Sequence, residues 1–221
     1  MSETDTTTAN ATDSEVKPSV NNDNGTEQKN NGQKENAAKE SRPEDAKNVY
    51  EFTVKDIDGK EVSLSKYKGH PLLIVNVASN CGFTKANYKE LNELYEKYES
   101  KGLRIAAFPC NQFLNQESAC DVDIKEFAKK NGVKFDMYAK INVNGDNAHP
   151  LYKWLKGKLT GFLYIDAIKW NFTKFLVDFR GQPIKRYGPL ESPSGFEADI
   201  MAQLARRSAK QVDSDTHTPD L

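Results

Sequence analysis

The hydrophobic side chains of this chain are concentrated in its middle, and both ends are nearly free of them. The first aromatic residue is Tyr50, and Asn, Thr, Glu, Lys and Ala dominate the segment before it. Such a segment buries too little apolar surface to offset the conformational entropy lost on folding. We therefore expect a disordered polar tail at residues 1–47, one folded domain at 48–207 and a second disordered tail at 208–221.

Within the folded domain, two apolar runs predict central strands that are buried on both faces. These runs, 71–78 and 103–108, are apolar almost throughout, which is typical of strands in the interior of a parallel sheet. Shorter alternating runs predict the remaining strands, and Asp58-Gly59 indicates a hairpin turn between the first two of them. The shorter strands are expected at 50–57, 61–64, 137–143, 174–178 and 183–187.

Helices are predicted between these strands, where apolar residues recur with the period of a helix. One stripe is formed by Tyr88, Leu91, Leu94, Tyr95 and Tyr98, and further helices are expected at 121–130, at 150–156 and around Ile200. Strands that alternate with helices favour parallel neighbours joined by right-handed crossovers. The expected fold class is therefore α/β, a thioredoxin-like sandwich with a mixed central sheet, helices on both faces and an N-terminal hairpin.

Cys81 follows the first buried strand and precedes the helix predicted to begin near Thr84. Unpaired backbone N–H groups and the helix dipole favour an anionic sulfur at such a junction. The thiolate is the nucleophilic form of cysteine, and open α/β sheets place their sites at the carboxyl ends of strands. Reactive sulfur chemistry is the first hypothesis, with a buried structural thiol as the alternative.

The residues after Cys81 restrict that chemistry. The window Cys81-Gly-Phe-Thr84 has no second thiol, which excludes dithiol exchange within one motif. A lone thiolate suits attack on the O–O bond of a peroxide, which yields a sulfenic acid. The departing oxyanion then needs hydrogen-bond donors, and indole and amide N–H groups supply them without adding negative charge.

Four segments of the chain have a distinctive wording: Asn76-Val-Ala-Ser-Asn-Cys-Gly-Phe-Thr84, Phe108-Pro-Cys-Asn-Gln-Phe113, Asn115-Gln-Glu117 and Ile168-Lys-Trp-Asn-Phe-Thr-Lys-Phe175. Together they resemble motifs of the glutathione peroxidase family, and the resemblance extends over residues 48 to 206. The resemblance implies the thioredoxin-like fold and a catalytic centre with Cys81 as the peroxidatic residue. It also implies that Gln116, Trp170 and Asn171 are the hydrogen-bonding partners of Cys81.

Two positions depart from the family pattern. Many members carry selenocysteine where this chain has Cys81, and a thiol is the poorer nucleophile. Thioredoxin-dependent members carry a resolving cysteine in the helix after the Gln motif, where Lys129 stands here. Either Cys120 is a displaced resolving residue, or an external thiol such as glutathione resolves the sulfenic acid. We favour glutathione, since a disulfide needs close approach of two Cα atoms; Cys110 is expected to be structural.

The sequence therefore predicts a thiol peroxidase that reduces hydrogen peroxide and organic or lipid hydroperoxides, with glutathione as the reductant. A thioredoxin-type reductant acting through Cys120 is one alternative, and a redox sensor without sustained turnover is another. The short connection at 157–167 resembles the phospholipid hydroperoxide branch of the family, which implies a monomer with a site open to lipid peroxides.

Charge and composition indicate which ligands, cofactors and cellular compartment to expect. Residues 48–207 hold 24 basic and 19 acidic side chains, an excess that is too small to indicate nucleic acid but favours anions or transient contact with an anionic membrane surface. The three histidines show no metal-ligand spacing, and we expect neither a metal nor a bound cofactor. An odd count of three cysteines without a secretory signal indicates a reducing compartment, and we expect a cytoplasmic protein.

Overall fold

The structure of the protein is a computed structural model that describes residues 42–160 and 166–215. The predicted disorder at residues 1–41 and 216–221 lies outside that part of the chain. The α-helices of the described residues are α1 (Thr84–Tyr98), α2 (Asp121–Lys130), α3 (Pro150–Lys158) and α4 (Glu197–Asp215). Their strands are β1 (Thr53–Lys55), β2 (Glu61–Ser63), β3 (Leu72–Val77), β4 (Arg104–Pro109), β5 (Asp136–Met137), β6 (Lys174–Val177) and β7 (Pro183–Tyr187).

A five-stranded mixed sheet forms the centre of the domain, with the strand order β5-β4-β3-β6-β7. The pairs β3–β4 and β4–β5 are parallel, whereas β3–β6 and β6–β7 are antiparallel. Strands β1 and β2 form a separate antiparallel hairpin in which Val54 lies opposite Val62. The predicted mixed sheet and N-terminal hairpin are confirmed.

Strand β3 separates two apolar cores because all six of its residues are buried. Leu72 and Ile74 pack into the core that contains Trp154 of α3. Leu73, Val75 and Val77 pack into the opposite core, which contains buried residues of α1 and α4. The sheet is therefore covered by helices on both faces, as the continuous apolar run of β3 predicted.

Two short strands are shorter than the sequence predicted. The first begins at Thr53 because Val49–Glu51 forms a 3₁₀ helix, with the Asn48 side chain accepting a hydrogen bond from the backbone N–H of Tyr50. The strand expected at 137–143 is reduced to Asp136–Met137, which pairs with two residues of β4. Alternating side chains do not show where pairing along a sheet edge stops. The ends of the first strand were therefore wrong, and of the strand predicted at 137–143 only Met137 lies in β5.

The predicted limits of the domain differ from the structure at both ends. Residues before 48 contact the domain, since the indole N–H of Trp154 donates to the carbonyl oxygen of Ala46 at 2.8 Å and the amide of Gln182 donates to that of Lys47 at 2.7 Å. At the other end, α4 continues to Asp215. Side-chain donors hold residues 46 and 47 against the domain, and helical structure continues beyond residue 207. The low apolar content of both segments gave no signal of this. None of the described helices is long and apolar enough to cross a membrane.

Candidate active site

Cys81 lies in the turn between β3 and α1, as the sequence predicted. The turn is held by Thr84, whose backbone N–H donates to the carbonyl oxygen of Cys81 at 3.0 Å and whose hydroxyl donates to that of Ala78 at 2.5 Å. The Cys81 side chain is only 8% exposed. The thiol is thus fixed at the end of a central strand, next to the first turn of a helix.

Gln116 and Asn171 meet beside this turn, although they are far apart in the sequence. The amide nitrogen Nδ2 of Asn171 donates to Oε1 of Gln116 at 3.0 Å, and Asn171 is fully buried. The backbone N–H of Asn80 donates to the carbonyl oxygen of Gln116 at 3.0 Å. Since Asn171 occupies the amide oxygen of Gln116, the NH₂ group of Gln116 is the end left to donate to another molecule.

Trp170 is half-buried and contacts both cores of the domain. Its ring lies 5.8 Å from that of Phe113, measured between centroids, with an interplanar angle of 47°. Its carbonyl oxygen accepts hydrogen bonds from the Asn76 amide and the Thr173 hydroxyl, each at 3.2 Å. Ring packing and backbone bonds together fix the position of this indole.

Asn76 organises the segment that carries Trp170 and Asn171, a role that the sequence did not reveal. Its carbonyl oxygen accepts from the backbone N–H of Phe172 at 2.7 Å, and its Oδ1 accepts from that of Thr173 at 3.1 Å. Phe172 has a φ of 62°, a left-handed conformation that is costly for a bulky side chain. Asn76 lies in β3, so it connects this strained segment directly to the strand that leads into the Cys81 turn.

A second set of bonds supports the same segment from the other side. The side-chain oxygen of Gln112 accepts from the backbone N–H groups of Val143 and Asn144 at 2.7 and 2.9 Å. The Asn144 side chain in turn bonds both backbone groups of Ile168, at 2.8 and 2.9 Å. The loops that precede Gln116 and Trp170 are thus joined through Asn144.

Two buried ionisable residues border the site. Glu117 is fully buried, and desolvation raises the pKa of its carboxyl. Lys174, the residue after Thr173, is also fully buried, and desolvation lowers the pKa of its ammonium group to about 8. Its Nζ donates to the carbonyl oxygen of Glu191 at 2.8 Å. Both ionisable groups are therefore buried in segments that carry residues of the candidate site.

Comparison with known proteins places this arrangement in a family. The family model for glutathione peroxidase matches residues 49–156. A glutathione peroxidase of Schistosoma mansoni is 54% identical over 160 residues, which are 72% of this chain and 94% of that protein. The phospholipid hydroperoxide glutathione peroxidase of Sus scrofa is 52% identical over 160 residues, 72% of this chain and 81% of that protein. The chain belongs to the glutathione peroxidase family.

Solved structures agree with this assignment. The crystal structure of T. cruzi GPX1 superposes with a TM-score of 0.61 at 43% identity, over 72% of this chain and 97% of that chain. A thioredoxin-family thiol:disulfide interchange protein of Chlorobium tepidum superposes with a TM-score of 0.51 at 20% identity, which shows the shared fold alone. The protein is thus a thioredoxin-like enzyme, and its family acts on hydroperoxides with a thiol reductant.

The other two cysteines of this glutathione peroxidase have different surroundings from Cys81. Cys120 is exposed, directly precedes α2, and its Sγ donates to Oδ2 of Asp123 at 3.2 Å. Cys110 is fully buried, and burial raises the pKa of its thiol. All three cysteines are free in the structure, so the resolving role considered for Cys120 remains a prediction.

His149 is not part of the candidate site. Its Nδ1 accepts a hydrogen bond from the backbone N–H of Leu151 at 3.2 Å, which caps the N-terminus of α3. Burial lowers the pKa of its imidazole. Among residues 42–160 and 166–215, no group of three or more His, Cys, Asp or Glu side chains is placed to hold a metal ion.

Proposed function

We propose that this glutathione peroxidase uses Cys81 to reduce hydrogen peroxide and organic hydroperoxides, and that glutathione returns Cys81 to the thiol. The observation that carries the proposal is the hydrogen bond between Gln116 and Asn171, in a cluster tied to the Cys81 turn through Asn80. It joins two predicted site residues that are 55 positions apart. No bound cofactor is required, because the reductant is a co-substrate.

The reaction consists of one oxidation and two thiol steps. The Cys81 thiolate attacks one peroxide oxygen, the O–O bond breaks, and the second oxygen leaves as an alkoxide or hydroxide that takes up a proton. Cys81 is now a sulfenic acid. One glutathione thiol displaces its hydroxyl group as water and forms a mixed disulfide. A second glutathione attacks that disulfide, which releases oxidised glutathione and the Cys81 thiol.

The surrounding residues have distinct roles in the first step. The NH₂ group of Gln116 and the indole N–H of Trp170 donate to the oxygen that develops negative charge. Asn171 acts through Gln116, because its own amide nitrogen is bonded to the Gln116 oxygen. Donors that are fixed before the reaction stabilise a developing charge without reorganisation at the moment of bond cleavage.

A thioredoxin-type reductant acting through Cys120 is the second candidate, favoured by the exposure of that thiol. Steady-state reduction of hydrogen peroxide, measured side by side with glutathione and with a thioredoxin system, separates the two. We expect sustained turnover with glutathione. Faster turnover with thioredoxin would favour the route through Cys120, and a single stoichiometric oxidation with neither reductant sustaining turnover would indicate a redox sensor.

We also propose that phospholipid hydroperoxides are substrates and that the enzyme is a cytoplasmic monomer with transient contact to membrane surfaces. The 52% identity to the phospholipid hydroperoxide glutathione peroxidase of Sus scrofa supports the substrate class. The connection at 157–167 is short, although its residues 161–165 lie outside the described part of the chain. Light scattering, combined with assays on hydrogen peroxide and phosphatidylcholine hydroperoxide, tests this. A stable tetramer that rejects the phospholipid would contradict it.

A further inference from the structure

The Glu117 carboxyl lies between the Gln116 loop and the turn that carries Cys81. Its Oε2 accepts a hydrogen bond from the Ser79 hydroxyl at 3.1 Å. Ser79 is two residues before Cys81, and Glu117 directly follows Gln116. One side-chain bond therefore joins the segment of the proposed nucleophile to the segment of a proposed donor.

The backbone around Glu117 is fixed on both sides. Its N–H donates to Oδ1 of Asn111 at 2.9 Å, and its carbonyl oxygen accepts from Nζ of Lys140 at 3.0 Å. Lys140 also donates to the carbonyl oxygen of Ala119 at 2.6 Å. These bonds fix the backbone from which the fully buried Glu117 side chain reaches Ser79.

The second carboxyl oxygen of Glu117 distinguishes this residue from an ordinary structural glutamate. Among the described residues, no group forms a hydrogen bond to Oε1, although this atom is fully buried. The hydroxyl of Tyr88 is also buried without a partner in that part of the chain. A buried oxygen without a donor is tolerated far better on a neutral carboxyl than on a carboxylate.

The groups around Glu117 include some that raise the pKa of its carboxyl and some that lower it. Burial is the largest influence and raises the pKa of the carboxyl, and the nearby Asp121 acts in the same direction. Hydrogen bonds from Ser79 and the ammonium group of Lys140 oppose it. Tyr88 and Cys110 also interact with Glu117, and its charge raises the pKa of both groups. The net result is a carboxyl that stays neutral at higher pH than an ordinary glutamic acid.

We propose that Glu117 is a positioning residue that holds the Cys81 turn against Gln116, and that its neutral form supports the faster oxidation of Cys81. Ionisation of Glu117 places a buried negative charge beside the segment where the thiolate and the departing oxyanion must be stabilised. The inference rests on the proposed peroxidatic role of Cys81.

The test compares Glu117→Gln, Glu117→Ala and the control Glu126→Gln, which changes an exposed glutamate on α2. Oxidation of Cys81 by hydrogen peroxide and its alkylation by iodoacetamide are followed from pH 5 to 8 by quantifying the Cys81 peptide. Glutamine keeps the acceptor for Ser79 but cannot ionise. The rate of Cys81 oxidation in Glu117→Gln, divided by that in the wild type, is expected to rise about three- to tenfold as the pH increases.

Glu117→Ala removes the link to Ser79 and is expected to slow oxidation about tenfold, while resolution of oxidised Cys81 by glutathione changes little. Should Glu117→Ala fail to fold, Ser79→Ala breaks the same bond and is expected to slow oxidation about threefold. Glu126→Gln is expected to match wild type at every pH. The conservative variant must therefore retain activity that the truncated variants lose.

The proposal is overturned if Glu117→Gln is as slow as Glu117→Ala, or if its rate ratio to wild type stays constant with pH. It is also overturned if the truncated variants react at the wild-type rate. Failure of the proposed function gives a different result, since Cys81 would then resist peroxide in the wild type. The alkylation rates would still report whether Glu117 controls Cys81.

Discussion

Cys81 and Cys120 both precede a helix, yet the structure surrounds them with opposite environments. Cys81 is 8% exposed, and the backbone beside it is bonded to the Gln116 loop. Cys120 is exposed, and its thiol donates to the carboxylate of Asp123. A position at a helix N-terminus therefore does not by itself define a peroxidatic cysteine. In the mechanism proposed above, the amide of Gln116 and the indole of Trp170 make the difference.

The first turns of α1, which follows Cys81, and of α2, which follows Cys120, differ in their acidic residues. The first turn of α1 contains no acidic residue, whereas that of α2 contains Asp121 and Asp123. Negative side chains are stabilised at a helix N-terminus. The first turn of α2 thus carries two carboxylates, whereas the first turn of α1, which follows Cys81, carries none.

The largest expected effect comes from removing the proposed nucleophile. Cys81→Ser is expected to lower peroxidase activity at least about a thousandfold, because a hydroxyl is a poor nucleophile towards peroxide. Cys110→Ser is the matched control, a buried thiol outside the candidate site, and is expected to keep its activity if it folds. A Cys81→Ser enzyme with a tenth of wild-type turnover would show that another residue reacts with the peroxide.

Removing one donor should have a smaller effect that is confined to the oxidation step. Gln116→Ala and Trp170→Phe are each expected to slow Cys81 oxidation about ten- to a hundredfold, somewhat less than losses at oxyanion holes, since sulfur is a soft nucleophile. Resolution by glutathione should change little. Rapid-quench mass spectrometry separates the two steps. Wild-type oxidation rates in both variants would exclude these side chains as donors.

The buried Lys174 and the exposed Lys125 should contribute differently to the pH dependence of the free energy of unfolding. Lys174 has a pKa of about 8 in the folded protein against 10.5 ordinarily, so the unfolded chain binds an extra proton between these values. Wild-type stability should therefore rise with pH across this window, relative to Lys174→Met, by up to about 3 kcal/mol.

Urea unfolding at pH 7, 8.5 and 10 measures this difference. Lys125→Met on α2 is the matched control, because Lys125 forms an exposed ion pair with Asp58 at 2.6 Å. Such pairs contribute about 0–1 kcal/mol. If the free energies of unfolding of Lys174→Met and Lys125→Met depended on pH in the same way, burial of Lys174 would not be the cause of the difference.

The smallest effect is expected at Cys120. Cys120→Ser should change turnover with glutathione by less than about twofold, because the Cys120 thiol is exposed and donates to Asp123. Steady-state assays with glutathione and with thioredoxin check this. Loss of turnover with both reductants would assign the resolving step to Cys120.

The sequence predicted those parts of the molecule that depend on local patterns. The apolar run of β3 indicated a strand buried on both faces, and the junction at Cys81 lies where strand and helix periods meet. The structure also joins Gln116 to Asn171, which the family resemblance had placed in one site. These features depend on residue type and spacing, which can be read directly from the amino-acid sequence.

The supporting residues could not be predicted in the same way. Asn76 and Glu117 gave signals, an amide in an apolar strand and a carboxyl next to Gln116, but their partners are 97 and 38 residues away. The end of α4 was missed for another reason. Its last turns lack the apolar stripe by which an amphipathic helix is recognised. Burial and long-range hydrogen bonds require the folded chain.

The most direct test of the central claim is to map the oxidised cysteine of the wild-type protein. One equivalent of hydrogen peroxide is added, sulfenic acid is trapped chemically, and the cysteine peptides are identified by mass spectrometry before and after addition of glutathione. We predict sulfenic acid on Cys81, converted by glutathione to a mixed disulfide and then to the free thiol. A dominant Cys81–Cys120 disulfide, or first oxidation at Cys120, would contradict the account.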